Sequence, residues 1–190
     1  HALVPHALVH LAARHPNLGV SVHPLESPWL EQALSEQRFD VGLSEATEAP
    51  TGVALRTLLT ANEVAALPRG HRLCAKATLA PADFANERFI SLAAGDPYRS
   101  AIDQMFASAQ VPRTTLLETT IAVAVCAMVR QGLGVAIVNP LSALELASLD
   151  LVTRPLAVPI AFRVSLLLPQ VAAAHPLQGA LVEALVQTAQ

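Results

Sequence analysis

Charge is scarce in this chain. Only 14% of its 190 residues are Asp, Glu, Lys or Arg, and 12 basic residues stand against 15 acidic ones for a net charge of −3. No Lys/Arg cluster is present, so the chain as given is not expected to grip nucleic acid. Long apolar runs are also missing. The longest, IAVAVCAMV at 121–129, reaches roughly half the length of a bilayer crossing before Arg130 ends it. A mean hydropathy of +0.45 therefore reflects a large core rather than a membrane span.

Other absences narrow the chemistry. The two cysteines, Cys74 and Cys126, lie far apart without C-x-x-C spacing, which fits reduced thiols in a cytoplasmic protein. The first residues, HALVPHALVHLAARHP, carry neither a basic leader region nor a cleavage site. His6 and His10 have the i, i+4 spacing of paired metal ligands but lack a Glu between them and a third ligand nearby. Gly42-Leu43-Ser44-Glu45-Ala46 follows a predicted strand but lacks the final glycine and the helix of a nucleophile elbow. Gly132-Leu133-Gly134 precedes its strand where a dinucleotide loop would follow one, so Gly132 reads as the left-handed end of a helix. No phosphate loop, internal repeat or low-complexity segment is present, and no enzyme class is favoured.

What the sequence does contain is 53% hydrophobic residues in alternating helical and extended patterns. Apolar spacing predicts helices within 2–14, from Ser27-Pro28 as N-cap and first turn, near 81–84, at 97–108, 120–131, 141–148 and 177–190. Strands are predicted at 18–24, 40–44, 53–59, 62–68, 88–92, 113–118, 134–139, 150–156 and 160–169. This order predicts an α/β architecture with largely parallel sheets, whose ligands sit beyond the carboxyl ends of strands. The helix over 121–129 is apolar on every side and must be covered all round, which points to a partner surface, most simply a second copy.

The segments after strands hold the candidate binding residues. Asp96 and Pro97 suit an N-cap and first helical position. Arg99, one turn inside the positive end of that helix, is disfavoured by roughly 0.3–1 kcal/mol. It is either accidental there or the partner of a bound carboxylate. Glu118 and Glu45, both at strand ends, are each either solvated carboxylates or ammonium ligands. Thr119 or Thr120 is expected to cap the following helix, and Asn139 must find partners for its amide if buried.

A first helix running into HPN, then RFDVGLSE, LPRGH and QGLGVAIVNP, resembles the effector-binding domain of LysR-type transcriptional regulators over essentially the whole chain. Residues 25–53, 91–106 and 118–144 are most similar to the family member that activates the diaminopimelate decarboxylase gene of lysine biosynthesis. Opine-catabolism regulators share the D-x-Y-R and E-T features. The resemblance implies two Rossmann-like lobes joined by two crossover strands, a periplasmic-binding-protein-like fold of type 2. Lobe I would comprise 1–68 and 165–190, and lobe II 69–164. It implies no cofactor, but an amino-acid effector, diaminopimelate or lysine, in the inter-lobe cleft. Its contacts would come from Ser27, Glu45, Ser91, Asp96, Tyr98, Arg99, Glu118, Thr119, Thr120 and Asn139.

The same resemblance implies a homodimer through helix 2–14 and helix 121–131, and a tetramer at full length. Operator DNA would be bound only through a winged helix-turn-helix absent from this chain, with RNA polymerase a further partner and a bacterial cytoplasmic location. The family's first strand and its loop would lie before His1. The alternatives are a regulator of opine or basic-amino-acid catabolism and a periplasmic-type amino-acid-binding protein.

Overall fold

The computed structural model describes residues 2–25, 27–147, 150–170 and 175–189. In chain order the helices are α1 (Leu3–Arg14), α2 (Trp29–Ser35), α3 (Pro97–Ser108), α4 (Ala122–Arg130), α5 (Pro140–Leu146) and α6 (Gln178–Thr188). The strands are β1 (Gly42–Ser44), β2 (Val53–Asn62), β3 (Val64–Pro68), β4 (Arg88–Leu92), β5 (Thr114–Thr119), β6 (Ala136–Val138), β7 (Leu151–Pro155) and β8 (Ala161–Pro169). Short 3-10 turns occupy Arg72–Ala75 and Pro81–Phe84. Glu26 and the predicted helix ends at Ser148 and Gln190 lie outside the described residues.

The chain divides into a central unit, 61–162, and a terminal unit formed by 3–60 and 163–190. In the central unit β4 and β5 pair in parallel, and β4 meets the start of β6 through a parallel bridge, Phe89 to Val135. β3 lies between β6 and β7 and is antiparallel to both, correcting the expectation of largely parallel pairing. The reason is connectivity. Helical crossovers link β4-α3-β5-α4-β6, and only such crossovers force strands into one direction. β3 reaches β4 through 3-10 turns, so nothing holds it to that sense.

Two cores cover the faces of this sheet. Phe89 joins Phe84, Phe106, Ile102 and Leu67 on one side, whereas Ile90 and Leu92 join Val125, Cys126 and Val129 of α4 on the other. Period-two alternation in β4 thus feeds two apolar layers, which is why RFISL reads as a nearly unbroken hydrophobic run. The rings of Phe84, Phe89 and Phe106 meet edge to face at 5.7–6.1 Å, each pair adding about 0.5–1.5 kcal/mol beyond its buried area.

In the terminal unit the sheet order is β1-β8-β2, with β1 antiparallel to β8. Ala7 and Leu11 of α1 pack on Leu166 of β8 and on Ala184 and Leu185 of α6. Residues 18–24 alternate as a strand should, yet they form no ladder, and Val20 and Val22 are exposed. A strand needs a neighbour to satisfy its backbone groups, and among the described residues none is supplied here. A pocket of about 370 Å³ opens between this stretch, residues 38–41 and α6.

α4 is not enclosed within the chain. Val125, Cys126 and Val129 are buried, but Ile121 just before the helix is 54% exposed and Ala127 is also exposed. Gly132 ends α4 with φ +75°, as its left-handed role required. Gly134 answers a different need: a Cβ there would lie 2.4 Å from the carbonyl oxygen of Arg88. Among the described residues no helix is long and apolar enough to cross a membrane, and no group of three or more metal-type ligands gathers.

Candidate effector site

The carboxyl ends of β4 and β5 and the start of α3 bring several of the proposed residues together. Asp96 is the N-cap of α3, with its Oδ1 accepting the N–H groups of Tyr98 at 2.8 Å and Arg99 at 3.1 Å, and Pro97 opens the first turn. Ser91 lies beside Glu118, and Leu92 beside Thr119, across the parallel ladder. Ser91 is 1% exposed and its Oγ makes no hydrogen bond, a polar atom placed in the interior without a partner. Tyr98 packs against both cores, and its ring tilts against Phe162 at 5.7 Å.

Arg99 is surrounded by acceptors. Its Nε donates to both oxygens of Asp103 at 2.9 Å, and its Nη1 donates to the Leu92 carbonyl at 2.8 Å and to Glu118 Oε1 at 2.6 Å. The hydrogen bond to Glu118, with Asp103 behind it, holds the guanidinium pKa above its ordinary value despite partial burial. The unfavourable placement in the helix field is thus answered inside the protein, by two carboxylates. Arg113, immediately before β5, pairs with the same Asp103 through Nη2. Its guanidinium carbon stands 4.7 Å from the Phe89 ring centre and 5.2 Å from that of Phe106. Burial pushes its pKa down, opposed by Asp103.

Three capping expectations are corrected. Thr119 and Thr120 do not cap α4; Ile121 is its N-cap, and Thr119 Oγ1 accepts the Ile121 N–H at 3.3 Å. Thr120 is exposed just beyond β5. Ser27 does not cap α2 either, since Pro28 takes that position and the Ser27 hydroxyl donates to Glu31 Oε1 at 2.5 Å. In both places the residue nearest the helix adopts the capping position without a side-chain bond, leaving the hydroxyl to serve a local turn. Asn139 uses its side-chain oxygen to cap α5, accepting the Ser142 N–H at 2.8 Å.

Ser27 and Glu45 belong to the terminal unit, where Glu45 is exposed just after β1. Sequence reasoning passed over Asp103, Arg113 and Glu31. The i, i+4 spacings Arg99–Asp103 and Ser27–Glu31 were readable signals. Arg113 gave none, because its partners, Asp103 and Phe106 of α3 and Phe89 of β4, stand at no spacing that a sequence pattern marks.

The family model of the LysR substrate binding domain matches residues 1–190. The transcriptional activator protein LysR of Escherichia coli K12 is 43% identical over 183 residues, 96% of this chain and 58% of that protein. The regulatory protein NocR of Agrobacterium tumefaciens T37 is 26% identical over 83% of this chain and 52% of its own length. The chain therefore spans a little over half the length of these curated relatives, which are regulatory proteins rather than enzymes.

Solved structures agree on the fold. The CcmR regulatory domain of Synechocystis PCC6803, in complex with 2-PG, superposes with a TM-score of 0.76 at 16% identity, covering 98% of this chain and 91% of that one. The BenM effector-binding domain with its effector benzoate gives 0.74 at 19% identity, covering 97% and 85%. Such neighbours carry the type 2 periplasmic-binding-like fold. By sequence and by fold, this chain belongs to the LysR substrate-binding domain family.

Proposed function

We propose that this domain senses an amino acid, diaminopimelate or lysine, for a transcription activator of lysine biosynthesis in the bacterial cytoplasm. The observation that carries the reading is the Arg99–Glu118 pair at the carboxyl ends of β4 and β5, beside the unpartnered Ser91 hydroxyl. A zwitterionic amino-acid group can enter by exchange: its carboxylate replaces Glu118 on Arg99, and its ammonium takes the Glu118 oxygen so released. Each protein charge keeps a counter-charge throughout, which limits the cost of burying the ligand's charges. The 43% identity to the E. coli activator supports the lysine-pathway assignment.

Operator binding, tetramer assembly and contact with RNA polymerase belong to the proposed full-length regulator. Calorimetry with diaminopimelate and lysine tests the effector reading. Binding is expected, and Arg99→Ala should weaken it by about tenfold or more while the melting transition persists. Absence of both heat and thermal shift at millimolar ligand overturns the proposal. The Rhizobium meliloti relative OccR, whose name ties it to octopine catabolism and uptake, is 26% identical over 75% of this chain. Binding of octopine without binding of lysine would favour that second reading.

A further inference from the structure

The arginine that carries the effector reading is held from behind. Its Nε donates to both oxygens of Asp103 at 2.9 Å, which leaves the terminal nitrogens for Leu92, Glu118 and, after exchange, an effector carboxylate. Asp103 lies one helical turn beyond Arg99, and its side chain is 46% exposed. A surface pair at this spacing is weak by itself, because both side chains must give up rotamers to stay together.

Asp103 has a second, more deeply placed partner. Arg113 pairs with its Oδ1 through Nη2, and the Arg113 side chain is only 9% exposed. That guanidinium is held near the Phe89 and Phe106 rings, at 4.7 Å and 5.2 Å, and both rings are packed edge to face with Phe84 in the core. Every member of this chain of contacts, from the rings through Arg113 and Asp103 to Arg99, belongs to the central unit. A rigid part of the core thereby reaches Arg99. A carboxylate that binds an arginine already immobilised avoids the ordering cost that a free side chain would incur.

Charge alone would give the two residues opposite effects. Asp103 is a negative charge beside the place proposed for an effector carboxylate, so removing it should strengthen binding. Arg113 is positive, so removing it should weaken binding. Holding Arg99 in place requires both. We infer that Asp103 and Arg113 are positioning residues of the effector site: the ring-held Arg113 fixes Asp103, Asp103 fixes Arg99, and loss of either loosens the grip on the effector carboxylate. This rests on the amino-acid effector reading above.

The test is calorimetry of the folded domain with lysine and diaminopimelate. Asp103→Ala and Arg113→Met should each weaken binding about three- to tenfold. With Arg99→Ala already in place, the same two changes should alter affinity by less than about twofold, because the group they position is gone. Asp103→Asn keeps an acceptor for Nε and should lose less than Asp103→Ala; it also serves if the alanine variant fails to fold. Unchanged or tighter binding in a folded Asp103 variant overturns the inference while the effector reading stands. So do equal losses with and without Arg99, which a merely structural role would give. If the unaltered domain binds neither amino acid, the effector reading itself fails, and this inference with it.

Discussion

Arg99 and Arg113 are tied to a single carboxylate, that of Asp103, which one grips through Nε and the other through Nη2. Two cations on one acid would repel, but Glu118 supplies the second negative charge on the far side of Arg99, and two phenylalanine rings face Arg113. Arg113 is the more buried of the two, with a side chain only 9% exposed and an Nη1 that makes no hydrogen bond.

Neutralising Asp103 should therefore strand a buried cation. Asp103→Asn is expected to lose about 1–3 kcal/mol of stability, read from urea unfolding. Arg113→Met in the same chain should lose less than the two single changes together, because the stranded charge is gone. A fully additive double variant would show that the two side chains do not act as a pair.

Cap and strand signals that are local in sequence were legible. Asp96-Pro97 opens α3, Gly132 ends α4, and RFISL is β4 over the residues expected. Each depends on chemistry within a few residues. Hydroxyl residues before helices misled, because Ser27, Thr119 and Thr120 lie near helix starts without occupying the cap. Residues 18–24 misled for another reason: alternation reports which faces a strand would show, not whether a neighbour exists to pair with it. In the candidate site, Asp103 could be read from its i, i+4 spacing, but Arg113 could not, since Phe89 and Phe106 reach it only through the tertiary fold.

The two glycines around Leu133 should fail differently. Gly134→Ala drives a methyl into the Arg88 carbonyl, part of the bridge between β4 and β6, and should cost about 1–3 kcal/mol. Gly132→Ala meets no neighbour and bears only the strain of a positive φ, about 1 kcal/mol. Denaturant midpoints for both variants decide this; equal losses would assign no special role to the close approach at Gly134.

Burial pushes the Cys126 thiol up to about 11 from an ordinary value of 9.0. The folded state binds this proton more tightly than the unfolded state does. Its contribution to stability is therefore complete below pH 9 and is lost as pH rises toward 11. Unfolding free energies measured across that range should fall for the unaltered chain and fall less steeply for Cys126→Ala. At pH 8 a thiol reagent should label the half-buried Cys74 first. Faster labelling of Cys126 in the folded protein would contradict this.

The expected dimer would use two apolar surfaces left uncovered in the single chain. Val9 of α1 is 69% exposed, and Ile121 stands open at the start of α4. Val9→Glu and Ile121→Glu should each shift sedimentation toward monomer without altering the circular dichroism spectrum. Unchanged assembly in both variants would place the contact elsewhere.

The alternating residues 18–24 have a consequence for the behaviour of this domain in concentrated solution. Among the described residues β1 is the outer strand of its sheet, and the stretch carrying the exposed Val20 and Val22 joins no ladder. Backbone donors and acceptors in such a place bond as readily to a neighbouring molecule as to their own chain, and exposed valines add adhesion without selectivity. Turbidity during refolding should rise steeply with protein concentration, and a single lysine at Val22 should suppress it while leaving both cores intact.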